Sequence, residues 1–171
     1  KKKEQEDYVM TYGTLLATTV HEVYPGHFLQ GQWERRAPTT VQAMFGSYSF
    51  VEGWAHYGEQ MMIEEGFGAE DPQNRLGQLS DALLRNCRYV VSLGIHTEGM
   101  TREQMMDLLL REAFQQEAEA SQKWQRATQS SVQMTSYFAG YAAIWQLQQQ
   151  ERARLGDQFS IKAFNNEFLS F

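Results

Sequence analysis

The sequence predicts an all-α protein, and three observations support this fold class. Proline occurs only three times in 171 residues. Runs of β-branched residues are rare, and long stretches are rich in Gln, Glu, Ala, Leu and Met, which favour helix. The length suits one domain that buries its own core. We therefore expect residues 1–171 to form a single compact multi-helix domain.

The first helix is predicted over about residues 4–24, because Pro25-Gly26 must interrupt it. A short helix is expected to resume over 27–35 and to end before a loop at 37–40. The next helix should cover 48–65, since two glycines follow it. We expect the first helix to turn one set of side chains inward: Tyr8, Tyr12, Leu15, Leu16 and Thr19.

The second half of the chain continues the helical pattern. Asp71-Pro72 begins a helix that runs toward Gly94, and Thr101 to Gln104 has the form of a capping box. Helix is expected again from about 134 to 155, with a last short helix after Ser160. The helix toward Gly94 carries apolar residues that we expect in the core: Leu76, Leu79, Leu83, Leu84, Val90 and Val91.

Composition excludes several functional classes. The net charge is −6 and no basic stripe is present, which argues against nucleic acid as a partner. No run of about 18 apolar residues occurs, so we expect no membrane span. Cys87 is the only cysteine, which excludes an internal disulfide and a thiolate zinc cluster. These counts leave the cellular compartment open.

Two of the four histidines flank a carboxylate in the sequence His-Glu-Val-Tyr-Pro-Gly-His at 21–27. Imidazoles and a carboxylate form the protein ligands of many catalytic zinc sites, and Glu22 stands where zinc peptidases keep their general base. His21 and His27 are six residues apart, which is a rotation of about 240° in a regular helix. We expect the break at Pro25-Gly26 to turn His27 so that both imidazoles meet one metal.

A second motif supplies the remaining ligand. Glu52, His56 and Glu59 are spaced i, i+4 and i+7, so they share one helical face. Glu52 is the predicted third ligand, because a buried unpaired carboxylate would be costly and a metal removes that cost. His56 is the alternative third ligand. Glu59, or His56, is expected to hold a ligand histidine through its other ring nitrogen.

Taken together, the sequences at 21–30 and 52–59 resemble the bacterial family called domain of unknown function 885. The resemblance continues through 88–96 and 133–140 and covers about 16–168. The family resembles zincin-type metallopeptidases, which implies a zincin-like metal-binding helix pair with His21, His27 and Glu52 as Zn²⁺ ligands and Glu22 as base. It also implies that the chain is the C-terminal part of a longer protein, whose N-terminal part would wall the cleft.

The chain departs from the family pattern at three places. Ser92 stands where the family usually has Asp, Ser131-Val132 where it tends to have Pro-Gly, and Asn165 where it favours His. The metal motifs are intact, so these departures bear on the substrate pocket rather than on metal binding.

Three further residues are candidates for catalysis and substrate binding. Tyr137 and His96 are the predicted donors to the oxyanion that forms during hydrolysis. The alternatives are a core tyrosine and an ordinary loop histidine. Arg88 is predicted to bind a substrate carboxylate, as in a carboxypeptidase, against the alternative of a structural ion pair.

The sequence thus predicts a zinc-dependent metallopeptidase-like hydrolase that acts on short peptides through metal-activated water. Three alternatives remain at this point. The chain could hold zinc without performing chemistry by itself, hydrolyse amides other than peptides, or be a metal-free helical scaffold. Cobalt or manganese would suit the same ligands as zinc.

Overall fold

The computed structural model describes residues 11–171, and this range is all helical, without β-strands, as the sequence predicts. Nine α-helices and one short 3₁₀ turn at Gly156–Gln158 are present in it. In chain order the helices are α1 Tyr12–Glu22, α2 His27–Glu34, α3 Thr40–Met44, α4 Tyr48–Glu64, α5 Pro72–Thr97, α6 Arg102–Arg111, α7 Glu117–Gln129, α8 Gln133–Leu155 and α9 Ile161–Leu169.

Helix ends coincide with the predicted capping signals. The Asp71 side chain accepts a hydrogen bond from the Gln73 backbone N–H at 2.9 Å, which starts α5. Thr101 and Gln104 form the predicted capping box at the start of α6. Beyond the end of α4, Gly66 adopts a φ of 99°, a conformation that favours glycine. These three predictions are confirmed.

The predicted inner side of α1 is wrong. Tyr12 and Leu15 are largely exposed, whereas the buried side of the helix consists mainly of small residues, and Tyr8 lies outside the described residues. The reason is a close helix crossing: a Cβ on Gly13 would lie 2.1 Å from the carbonyl oxygen of Gln73 in α5. The buried positions are Gly13, Ala17, Val20 and His21.

A second close crossing joins α4 to α8. A Cβ on Gly53 would lie 2.5 Å from the Cα of Gly140, so two glycines allow these helix backbones to touch. The helices α1 and α5, like α4 and α8, are therefore held at short and well-defined separations. Because α1 and α4 also pack on each other, the two predicted metal motifs face one another.

Two apolar clusters lie on either side of this arrangement. The Met–Leu cluster joins α5, α6 and α7 to the start of α8. The aromatic cluster joins α4, α8 and α9. The buried members of the Met–Leu cluster are Cys87, Val91, Met105, Leu109, Ala113, Ala120, Ala127 and Met134, and those of the aromatic cluster are Trp54, Tyr57, Met61, Ile144 and Leu169.

The predicted core side of α5 is only partly correct. Val91 is fully buried, but Leu76, Leu79 and Val90 are about half exposed or more.

In residues 11–171 no helix combines the length and the apolar character that a membrane crossing requires.

Candidate metal centre

The two histidines of the first motif lie on different helices. His21 is in the last turn of α1, and His27 is the first residue of α2. Between them the Tyr24–Pro25 peptide bond is cis, and the Gly26 N–H donates to the Val20 carbonyl at 3.0 Å. A Cβ on Gly26 would lie 1.7 Å from the His21 carbonyl oxygen, so only glycine fits here. The break thus brings the His27 ring to within 4.7 Å of the His21 ring, centroid to centroid.

Helix α4 presents Glu52 to both imidazoles. Its Oε2 lies 3.5 Å from Nε2 of His21 and 3.5 Å from Nε2 of His27. The turn that carries His27 is also tied to α4, because Nε1 of Trp54 donates to the Pro25 carbonyl at 2.8 Å. Glu52 and His27 keep small exposed fractions of 14% and 26%, so the three polar atoms converge at the edge of the protein interior.

These separations fit a bound metal ion. With zinc–ligand bonds of about 2.0–2.1 Å, two ligands of a tetrahedral site are about 3.4 Å apart. The distances from Glu52 to the two imidazole nitrogens match that value. Ligand atoms of His21, Glu22 and His27 also lie within 4.8 Å of one another, which makes Glu22 a rival third ligand. Glu52 fits better, because a single oxygen of its carboxylate lies at the expected distance from both imidazoles.

Glu59 fixes the orientation of His21. Its Oε1 lies 2.6 Å from His21 Nδ1, and its Oε2 accepts a hydrogen bond from Arg85 Nη1 at 2.7 Å. Glu59 is fully buried, so this arrangement is shielded from water. With Nδ1 engaged by Glu59, Nε2 is the ring nitrogen of His21 that faces Glu52 and would bind a metal.

The charges of the site shift its pKa values. Burial alone would raise the pKa of Glu52, but hydrogen bonds with His21 and His27 outweigh burial and lower it to about 2. Burial alone would lower the pKa of His21, yet its contacts with Glu52 and Glu59 raise it. The carboxylate of Glu52 is therefore ionised at neutral pH and suited to a cation.

A cavity of about 470 Å³ opens beside this centre, and its size is in the range of small-molecule sites. Glu22, Tyr137 and Arg88 all line it together with His21. The Tyr137 hydroxyl accepts a hydrogen bond from Nη2 of Arg126 at 3.4 Å, which leaves its own proton free to be donated. The remaining lining includes Thr14, Thr18, Ser80, Asp81, Leu84, Arg85, Phe114, Glu119 and Lys123.

The structure does not bring the other two histidines to the ligand cluster. His56 stacks on Tyr141 with 4.6 Å between ring centroids, and its Nδ1 is buried without a hydrogen-bond partner in the described part of the chain, so Glu59 rather than His56 holds His21. His96 is exposed at the end of α5, and its Nε2 lies 3.0 Å from the Ala127 carbonyl oxygen.

Four residues near the site were not predicted from the sequence. Arg85 pairs with Glu59, and Asp81 and Lys123 line the cavity, while Arg126 contacts Tyr137. A signal was present in the spacing. Two basic residues stand three apart on α5, at 85 and 88, and two more stand three apart on α7, at 123 and 126, so each pair shares a helix face.

Comparison with known proteins identifies relatives without an assigned function. A putative lipoprotein of unknown function from Shewanella oneidensis is 41% identical with a TM-score of 0.89, and the match covers 94% of this chain and 29% of that one. The putative lipoprotein from Colwellia psychrerythraea is 31% identical with a TM-score of 0.86, over 93% of this chain and 28% of that one. The chain therefore spans less than a third of either relative.

A search among curated proteins gives no match. Residues 2–171 match the family described as bacterial protein of unknown function (DUF885), and this match takes in both metal motifs. The chain belongs to that family.

Proposed function

We propose that this protein is a zinc-dependent hydrolase of short peptides, related to the zincin-type metallopeptidases. The observation that carries the proposal is the convergence of His21 Nε2 and His27 Nε2 on one oxygen of Glu52, each at 3.5 Å. The buried Glu59 adds support, because a carboxylate behind a ligand histidine is typical of catalytic zinc sites.

His21, His27 and Glu52 would hold the metal. Zinc bound by three protein ligands supplies a Lewis acid and lowers the pKa of a bound water toward about 7. Glu22 follows His21 directly and lines the cavity, and we assign its carboxylate the role of accepting the proton of the attacking water. The same group can return that proton to the leaving amine.

Tyr137 is the proposed donor to the oxyanion. Its hydroxyl lines the same cavity as Glu22, and Arg126 supplies a hydrogen bond to the phenol oxygen. Burial and the nearby Glu52 raise the pKa of Tyr137, so the phenol keeps its proton at neutral pH and can donate it as a hydrogen bond. His96 has no part in this scheme, since its imidazole contacts the Ala127 carbonyl.

The relatives suggest where the reaction would take place. Both solved structures are described as putative lipoproteins, and we propose that the protein acts in the cell envelope on peptides present there. They are more than three times as long as this chain, and we propose that the additional part forms the other wall of the cavity.

The test is the substitution Glu22→Gln in the natural protein. Hydrolysis of a panel of di- and tripeptides should fall by about 100- to 10,000-fold, because the proton acceptor is lost while the ligand atoms remain. Zinc content, measured by elemental analysis after purification without chelator, should equal that of the wild type. Glu70→Gln, at an exposed loop position, is the matched control and should keep full activity.

Three results would contradict the proposal. Full activity in Glu22→Gln would remove Glu22 as the base. A wild-type protein that binds zinc but cleaves no peptide would indicate a structural metal, or a different amide substrate if simple amides are cleaved. A protein without metal at stoichiometric level would refute the centre itself.

A further inference from the structure

Basic side chains from α5 and α7 lie close together at one side of the cavity beside the proposed metal centre, with the carboxylates of Asp81 and Glu119 among them. Arg88 and Lys123 line it, and Arg126 stands next to them against Tyr137. The three cations lie close enough to affect each other: burial, and then the charge of Arg126, lowers the pKa of Arg88. Burial, and then the charge of Arg88, lowers the pKa of Lys123.

Arg88 has no charged partner of its own in the described part of the chain. Its Nε is buried without a hydrogen-bond partner, and none of the ion pairs within residues 11–171 includes it. A buried donor without a partner is costly, and a ligand carboxylate could accept two parallel hydrogen bonds from this guanidinium, one of them from Nε. This is the observation that points to an anionic ligand.

The neighbouring charges do not satisfy Arg88. Arg85 forms an ion pair with Glu59 at 2.7 Å, and Glu119 forms one with Lys123 at 3.2 Å. Asp81 lines the same cavity and its charge acts on Arg88, but no ion pair within residues 11–171 joins the two side chains. Arg126 donates to neutral oxygens of Gln133 and Tyr137.

We propose that Arg88, assisted by Lys123 and the field of Arg126, binds the free carboxylate at the C-terminus of a peptide, so that the enzyme removes residues from that end. This inference rests on the proposed function. The cationic side chains of Arg88 and Lys123 line one cavity of about 470 Å³ together with the base Glu22, and this space suits a short chain end better than the middle of a long chain. Leu84 and Phe114 add apolar surface to the lining for the side chain of the terminal residue.

The experiment separates binding from catalysis. In the Glu22→Gln background of the natural protein, isothermal titration would compare N-acetyl-leucine with its C-terminal amide. The free acid should bind at least about tenfold more tightly, because only it offers a charge to Arg88. Arg88→Gln should abolish that preference, Arg88→Lys should restore part of it, and Lys123→Gln should reduce it. Arg111→Gln, at an exposed position on α6, should leave it unchanged.

Activity gives the second readout. With the wild-type base in place, kcat/KM for a dipeptide should exceed that for its amide by a similar factor, and Arg88→Gln should erase the difference. If the acid preference is present in binding but no peptide is cleaved, the anion site stands and the proposed hydrolysis fails. Equal binding of acid and amide overturns the proposal.

Two further outcomes would also overturn the proposed carboxylate site. If Arg88→Gln does not fold, Lys123→Gln and Arg88→Lys still report on the site, and an unchanged acid preference in both overturns it. A C-terminal amide of N-acetyl-glutamate that binds as tightly as N-acetyl-leucine would assign the cations to an acidic side chain instead of the chain end, which also overturns it.

Discussion

The buried face of α4 and the Met–Leu cluster are equally shielded from water, but different kinds of interaction stabilise them. In the Met–Leu cluster, Met105 and Leu109 are fully buried among apolar neighbours, and each contributes by leaving water. On α4, His56 and Glu59 are just as buried, yet burying polar and charged groups costs free energy that pairing only partly recovers. The Met–Leu cluster is therefore explained by its contribution to stability. The buried polar groups of α4 are better explained by the metal centre that we propose at the edge of this face.

The largest expected effect comes from removing the charge at the centre of the polar region. Glu59→Ala leaves the Arg85 guanidinium buried without its partner, and we expect the free energy of unfolding to fall by about 3–5 kcal/mol. His21 also loses the acceptor that orients it, so zinc affinity should fall by about 10- to 100-fold. Urea unfolding of the metal-free protein and competition with a zinc chelator measure the two effects.

The exposed Glu64, five residues further along α4, supplies the control. Glu64→Ala should change neither quantity by much. A Glu59→Ala protein of normal stability and zinc affinity would mean that Glu59 neither neutralises Arg85 nor positions His21.

The second prediction concerns the apolar Met–Leu cluster. Leu109→Ala should lower the free energy of unfolding by about 2–5 kcal/mol, because the position is fully buried and the truncation leaves a cavity. Zinc affinity of the folded protein should not change, since the Met–Leu cluster contains none of the predicted ligands. Leu110→Ala, at a position 37% exposed, should cost clearly less stability. A loss of zinc affinity in Leu109→Ala would show that the two regions are coupled.

The same contrast explains which features could be predicted from the sequence. Residue type and capping signals are local, so the grouping of His21, His27 and Glu52 and the start of α6 at Thr101 could be predicted from the sequence. The inward side of α1 could not, because hydrophobicity pointed to Tyr12 whereas the close crossing with α5 selects small residues. A side chain's size mattered more there than its polarity.

Two other features depended on contacts between distant parts of the chain. Helix α7 was not predicted as a separate element, because its buried positions in the Met–Leu cluster are alanines, which give little apolar periodicity. The pairing of Arg85 with Glu59 joins residues 26 apart, and nothing in either motif specifies the partner. The polar network could therefore be anticipated on the α4 side only.

The smallest expected effect is the pH dependence of stability that arises from His56. Burial, assisted by the charge of Arg85, lowers its pKa in the folded protein to about 4 from an ordinary value of 6.5. Between pH 6.5 and pH 4 the unfolded chain therefore binds a proton on His56, whereas the folded protein does not. Stability that is present above pH 6.5 is consequently lost as the pH falls toward 4. A difference of about 2.5 pKa units corresponds to about 3 kcal/mol, most of it lost by pH 4. His56→Gln, which keeps a polar side chain that does not titrate, should lose that much less stability than the wild type between pH 7 and pH 4 in the metal-free protein. His96→Gln, at an exposed position, should retain the acid-dependent loss. If His56→Gln lost as much as the wild type, the acid sensitivity of the polar region would have to come from the groups around the metal centre.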